Sequence, residues 1–293
     1  MSTTPSPVAL DTLGVLRVRG ADARRFLQGQ LSNDLERLTP ERTLLAGLHN
    51  PQGRAVALLR LLMLADDDLL AILPRELVGP VRARLGKFVL RAKVTLADDS
   101  AAWQLEGLLG VQPGVLPPAG GVRREADAFI VRIGESAERG LRVRAAATAP
   151  AAQAGAGSAW QLAAIAAGEP QVHARTSEAF VAQMLNLDLL DGIAFDKGCY
   201  TGQEVIARAH YRGRVKRRMQ RFASTAPVAL APGDTGTLGD GRSFQVVEAA
   251  VRADGLTEFL AVANLAGEAA AAGEPAAARV EARALPLPYA LPR

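Results

Sequence analysis

The residues best equipped for chemistry gather in one short run, Lys197-Gly198-Cys199-Tyr200-Thr201-Gly202-Gln203-Glu204. Cys199 is the sole cysteine of the 293-residue chain. Glycines flank it, and glycine permits backbone angles and close approaches that other residues resist. The sequence turns helical from Gly202 or Gln203, with Val205, Ile206 and Ala209 on one apolar side. Cys199 therefore stands just ahead of a helix N-terminus, where amide dipoles and the nearby Lys197 both favour the thiolate, the form that attacks electrophiles and binds metals. The plain alternative is a small buried residue, as most lone cysteines are. Gln203 and Glu204 either order this loop or serve as ordinary helix-start residues.

Basic charge follows directly. From Lys197 to Arg221 there are eight Lys or Arg against one acid, Glu204, so the formal charge of +4 resides in this segment and the remainder is net acidic. Three uses compete for the run Arg208 to Arg221. Arg208, Arg212 and Arg214 could pair with a ligand carboxylate, which suits bidentate guanidinium contacts. The run could be a solvated basic surface, or it could bind RNA, with cations on phosphate and Tyr211 stacked on a base. Trp160 offers a flat indole for a planar ligand, or a partly buried core side chain. His49, His173 and His210 are too scattered in sequence to define a metal site.

One cysteine excludes an intrachain disulfide and any zinc or iron–sulfur site built from several thiolates of one chain. Residues 1–7 have neither the basic segment nor the apolar core of a secretory signal. No run reaches the roughly 20 apolar residues that span a bilayer; the best candidate, Ala55 to Ala65, is short and contains Arg60. A cytoplasmic protein without membrane contact is expected. With 49% hydrophobic and 22% charged residues the composition is that of an ordinary globular chain.

The elements that must position these residues are mostly short strands. Val8 to Val18 reads as a strand, followed by a helix in which Phe26 and Leu27 face a core and Asp22 can cap. Thr43 to Leu48 and Ala55 to Leu64 form a hairpin across the turn-favouring His49-Asn50-Pro51-Gln52-Gly53-Arg54. Leu69 to Leu73 and Ala92 to Leu96 add strands around a helix over Arg75 to Leu85. Strands at Trp103 to Leu109, Ala128 to Ile133 and Leu141 to Arg144 open a second module, with helices over Trp160 to Ala167 and Ser177 to Leu185. Ala145 to Ser158 reads as a frayed helix or a surface connection, and Ala266 to Ala278 as a surface loop. Apolar runs at Phe244 to Val251 and Glu258 to Asn264, a further one at Arg279 to Ala284, and Gly-rich turns point to a small all-β domain. The boundaries are 1–100 and 101–214 for two α+β modules and 215–293 for the β-domain.

The run Lys197 to Glu204 closely resembles the signature of the YgfZ family, folate-binding relatives of the glycine-cleavage aminomethyltransferase. Gly20-Ala21-Asp22 through Asn33-Asp34, the hairpin His49 to Arg54, Ala207 to Gly213, Lys216-Arg217-Arg218 and the ending Leu285-Pro286-Leu287-Pro288-Tyr289 continue the resemblance. It implies an α+β, GcvT-like ring of three modules, two ferredoxin-like and one a C-terminal β-barrel, around a central folate channel. It also implies a tetrahydrofolate ligand, contacted by residues among Trp160, Lys197, Gly198, Tyr200, Gln203, Glu204, Arg208 and Arg212. In that scheme Lys197 holds the thiolate or a folate carboxylate. Ala166 departs from the acid that relatives carry for pterin nitrogens, with Glu169 a substitute. A second folate-contacting Trp of some relatives falls near Leu13 here.

The family's role is to support maturation or repair of iron–sulfur enzymes, including those that modify tRNA. Its partners are then folate and iron–sulfur client or assembly proteins, with direct tRNA contact as a further option. Cys199 would be a redox or transient-ligand thiol, because one thiolate cannot hold a resident cluster. Aminomethyl-transferring relatives place acids after the first hairpin turn, whereas Arg54 to Arg60 contains no carboxylate. Folate binding without aminomethyl transfer is expected; direct RNA binding and a folate-dependent one-carbon transferase are the alternatives.

Overall fold

The computed structural model describes residues 7–111, 114–134, 139–148, 157–213, 215–265 and 279–292. The first of its three sheets grows from the hairpin. Strands β3 (Leu44–His49) and β4 (Ala55–Ala65) pair antiparallel, and the turn between them is fixed locally: the Asn50 side-chain oxygen accepts from the amides of Gln52 and Arg54, and Gly53 takes φ 71°. That angle is one only glycine adopts readily. β5 (Asp68–Pro74), β2 (Leu13–Arg19) and β6 (Thr95–Asp98) complete the order β3-β4-β5-β2-β6. Helices α1 (Ala23–Gln28) and α2 (Arg75–Gly86) contribute Phe26, Leu27, Leu77, Val78, Val81 and Leu85 to the same core. Burying each large side chain contributes about 1.5–3 kcal/mol.

The second sheet runs β1-β7-β10-β9-β8, where β1 is Val8–Ala9, β7 Trp103–Leu109, β8 Val122–Arg124, β9 Ala128–Arg132 and β10 Arg139–Ala145. Helix α3 (Gly157–Ala166) packs beside it, and α4 (Gln203–Tyr211) follows the signature. The third sheet is barrel-like, in the order β15-β12-β13-β14-β11-β16: β11 Arg217–Ser224, β12 Thr235–Leu238, β13 Ser243–Val251, β14 Thr257–Asn264, β15 Arg279–Val280 and β16 Ala282–Leu285. The α+β architecture with a terminal β-barrel is thus present.

Several elements differ from the sequence-based expectation. Val8 to Val18 is two strands, because the chain turns after Leu10 and β1 pairs with β7, Val8 opposite Gly107. Val8 and Ala9 therefore edge the second sheet. Ser177 to Leu185 is no α-helix: turn residues lead into a short 3-10 helix at Ala182–Leu185. Its backbone is already committed to β4: Glu178 donates to Ala55 and Ala55 to Phe180. Those bonds satisfy groups a helix would have used. Residues 149–156 and 266–278, within the connections assigned from sequence, and Arg214 lie outside the described residues. No helix among the described residues is long and apolar enough to cross a membrane.

His49 ends β3 completely buried, and neither ring nitrogen makes a well-aligned hydrogen bond. Burial pushes its pKa down to about 4, with the Gly47 backbone partly offsetting. The unfolded chain therefore takes up this proton first as pH falls. The contribution to stability is whole above pH about 6.5 and is lost progressively toward pH 4, a shift worth on the order of 3 kcal/mol. In urea melts across pH 4–7.5 the parent should lose about that much more stability toward the acid end than His49→Leu does. Parallel profiles would show that His49 does not carry this term.

Candidate functional site

The three sheets meet around a cavity of about 720 Å³. Its apolar wall includes Leu13 of β2, Leu58 of β4, Ile72 of β5, Leu141 of β10 and Leu230 of the barrel segment. Charged groups enter from all three sheets. Arg60 arises mid-way along β4, where every other residue from Ala55 to Leu64 is apolar, and Arg139 begins β10. Both reach Glu169, three residues beyond the end of α3, and each carboxylate oxygen meets a different guanidinium. Trp160 of α3 lines the same region. The Arg139 guanidinium lies 4.8 Å from its ring centroid, and Gly107 of β7 approaches so closely that a Cβ there would sit 2.4 Å from the ring. The indole is therefore a supported platform rather than an open face.

At another part of the wall His173 joins modules. Its Nε2 lies 2.9 Å from Glu248 of β13, and Nδ1 lies 3.6 Å from Glu76 of α2. Burial alone would lower its pKa, but the hydrogen bonds and charges of Glu248 and Glu76 outweigh that and hold it above the ordinary imidazole value. The C-terminal ending fixes the site from outside. Tyr289 donates its hydroxyl to the Gly168 carbonyl at 2.7 Å, and a Cβ at Gly168 (φ 64°) would collide with Leu287 and Tyr289. This contact sets the turn that aims Glu169.

The signature is elsewhere. Among its predicted contact residues, Trp160 alone lines the cavity; Lys197, Gly198, Tyr200, Gln203, Glu204, Arg208 and Arg212 do not. Lys197 points into backbone, donating to the carbonyls of Gln28, Leu31 and Asn33 at 2.7, 2.7 and 2.8 Å. All three ammonium protons are thus spent, and the expectation that Lys197 holds a thiolate or a folate carboxylate is corrected. Burial pushes its pKa down to about 8, with Asp34 opposing. Tyr200 is buried beside His49, the ring centroids 6.5 Å apart, and Lys197 Nζ lies 5.2 Å from the Tyr200 ring. Gln203 orders the loop by donating to the Lys197 carbonyl at 3.3 Å. Gly198, Cys199, Glu204, Arg208 and Arg212 are exposed, so Cys199 is a surface thiol and not a core residue.

Arg208 and Arg212, expected at a channel, do not line the cavity, whereas Arg60 and Arg139 do. Sequence reasoning passed over both, and over His173 and Glu248. A signal existed: an arginine inside an otherwise apolar strand is rarely tolerated without a partner or a task. Of the pterin-binding alternatives, Ala166 is not a cavity residue while Glu169 is, yet both Glu169 oxygens are engaged. Leu13 does line the cavity. Among the described residues no group of three His, Cys, Asp or Glu converges to hold a metal ion.

Comparison with known proteins gives the lineage. No family model matches the chain. An uncharacterized protein of Haemophilus influenzae is 32% identical over 216 residues, 73% of this chain and 72% of that protein. The tRNA-modifying protein YgfZ of Escherichia coli O157:H7 is 34% identical over 236 residues, 75% of this chain and 72% of its own. Among solved structures, the glycine cleavage system aminomethyltransferase T of Bartonella henselae aligns with TM-score 0.66, covering 90% of this chain and 84% of that one at 16% identity. The likeness shows the aminomethyltransferase-type fold.

The Lys197 cradle generates a prediction that separates the signature from the cavity. Lys197→Met leaves three carbonyls without their charged donor and should lower stability by about 2–3 kcal/mol in urea melts. Unchanged stability would contradict the structural role assigned to the ammonium.

Proposed function

The chain belongs to the YgfZ family, and on that premise we propose that it is a folate-binding protein that supports iron–sulfur enzyme maturation or repair, and through it tRNA modification, without aminomethyl transfer. The observation that carries this is the cavity. A volume of about 720 Å³ with apolar walls and a few converging polar groups is what an organic ligand of this size needs. A folate combines flat rings with a dicarboxylate tail, and the residues present fit both parts: Leu13, Leu58, Ile72 and Leu141 for the rings, Arg60 and Arg139, the latter held by Trp160, for the anion. Once bound, tetrahydrofolate supplies a nitrogen able to carry a one-carbon unit; the chain's own residues bind and orient it and exclude water.

The strand after the hairpin turn supports the absence of aminomethyl transfer. β4 presents Leu58 and Arg60 to the cavity. Neither can act as the carboxylate that family resemblance associates with that reaction. Cys199, exposed on the outer surface, suits a redox or transient-ligand thiol reached by a partner protein rather than a group acting on the cavity ligand.

One observation favours direct tRNA contact as a second reading. Phe195 and His210 stack at 3.8 Å, Tyr211 meets both edge-on and is 68% exposed, and Arg208 and Arg212 flank them on and beyond α4. Exposed aromatics among cations are what unpaired bases and phosphates require.

Calorimetric titration with tetrahydrofolate should give saturable heat, and Trp160→Ala should weaken binding about tenfold, equivalent to about 1.4 kcal/mol. Absence of heat at millimolar ligand would overturn the folate assignment. For the second reading, a gel shift of unmodified tRNA should weaken steeply with salt and again in Tyr211→Ala; no shift at low salt removes it.

A further inference from the structure

The cavity's charges do not balance at Glu169. Two guanidiniums share one carboxylate there, with side-chain exposures of 15% for Arg60, 2% for Arg139 and 18% for Glu169. The cluster holds a net positive charge. Nε and Nη1 of Arg139 have no hydrogen-bond partner among the described residues. Burial pushes the Arg139 pKa down to about 9 and that of Arg60 to about 10, so both remain cations at neutral pH. A buried cation with open donors is unfavourable unless an anion completes it.

Two of the other acids lining the cavity are already engaged. Glu248 and Glu76 are engaged by His173, and Glu248 also accepts from the Ala249 amide. Arg139 is also held in place: the guanidinium rests over the Trp160 ring, and the ring in turn is backed by β7 at Gly107. A guanidinium stacked on an indole keeps its in-plane N–H groups free to meet a carboxylate edge-on. Trp160 is then a positioning residue for Arg139.

We propose that Arg139, stacked on Trp160 and assisted by Arg60, forms an anion subsite that takes a carboxylate of the cavity ligand. The inference rests on the folate assignment, in which that carboxylate belongs to the glutamate tail. It places the tail inside the cavity, on residues of β4 and β10, rather than on the basic helix after the signature.

The test is calorimetry on the full chain with tetrahydrofolate, with 6-methyltetrahydropterin, which lacks the tail, and with p-aminobenzoylglutamate, which lacks the pterin. Arg139→Met should weaken tetrahydrofolate and p-aminobenzoylglutamate binding by at least tenfold and leave 6-methyltetrahydropterin within twofold; Arg139→Lys, which keeps the charge but not the fork, should fall between. Equal affinities of parent and Arg139→Met for tetrahydrofolate, or equal losses for the tailless pterin, would overturn the subsite. If the parent binds no tetrahydrofolate the folate assignment fails by itself. In that event binding of glutarate to the parent and its loss in Arg139→Met would sustain the anion subsite, and absence of glutarate binding would overturn it as well. Should Arg139→Met melt below the assay temperature, Arg60→Met decides by the same comparison, with a loss confined to tail-bearing ligands supporting the subsite and any other pattern opposing it.

Discussion

A carboxylate shared by two buried guanidiniums allows a cavity to persist where three largely apolar sheets converge. Apolar faces alone would pack together and expel the space between them. Arg60 from the first sheet and Arg139 from the second cannot be driven into that core without an anion, and Glu169 reaches both. The His173 contact to Glu248 does similar work between the α3 connection and the barrel, 2.9 Å long and largely buried. Polar ties across the module boundaries thus hold the walls apart and aim charge into the interior.

The signature run serves this arrangement at a distance. Its Lys197 ammonium pins the loop to carbonyls at and just beyond the end of α1, Tyr200 seals it against His49, and Gly202 lies where a Cβ would meet the Asn50 carbonyl at 2.5 Å. What it leaves outside is Cys199 and the basic helix. Two surfaces with separate chemistries result: an interior that suits a small organic anion, and an exterior where a thiol and stacked aromatics face solvent.

Local structure was legible where local physics decides it. The hairpin around Asn50 and Gly53, helix α2, helix α3 and strands β13 and β14 follow from turn residues and apolar periodicity, and the family resemblance supplied the ring. The pairing of β1 with β7 was not legible, because two residues carry no pattern and their partner lies almost a hundred positions away. Nor was the segment after Glu178, whose apolar spacing suits a helix while its backbone bonds are claimed by β4. The site was hidden for a related reason. Arg60 and Arg139 are isolated in sequence, each an interruption of an apolar strand face: Arg139 shares its side of β10 with Leu141 and Val143, both buried. Clusters of charge draw the eye to α4, yet a charge that interrupts a buried strand carries more information than a run of charges on a surface.

In the proposed function the ligand occupies the space among the three sheets and not the signature loop. A crystal structure of the protein soaked with tetrahydrofolate tests this most directly. Electron density should fill the cavity beside Trp160, with a carboxylate within hydrogen-bond distance of Arg139 and none at Lys197, Arg208 or Arg212. Density seated on the signature loop, with the cavity lacking ligand, would contradict it.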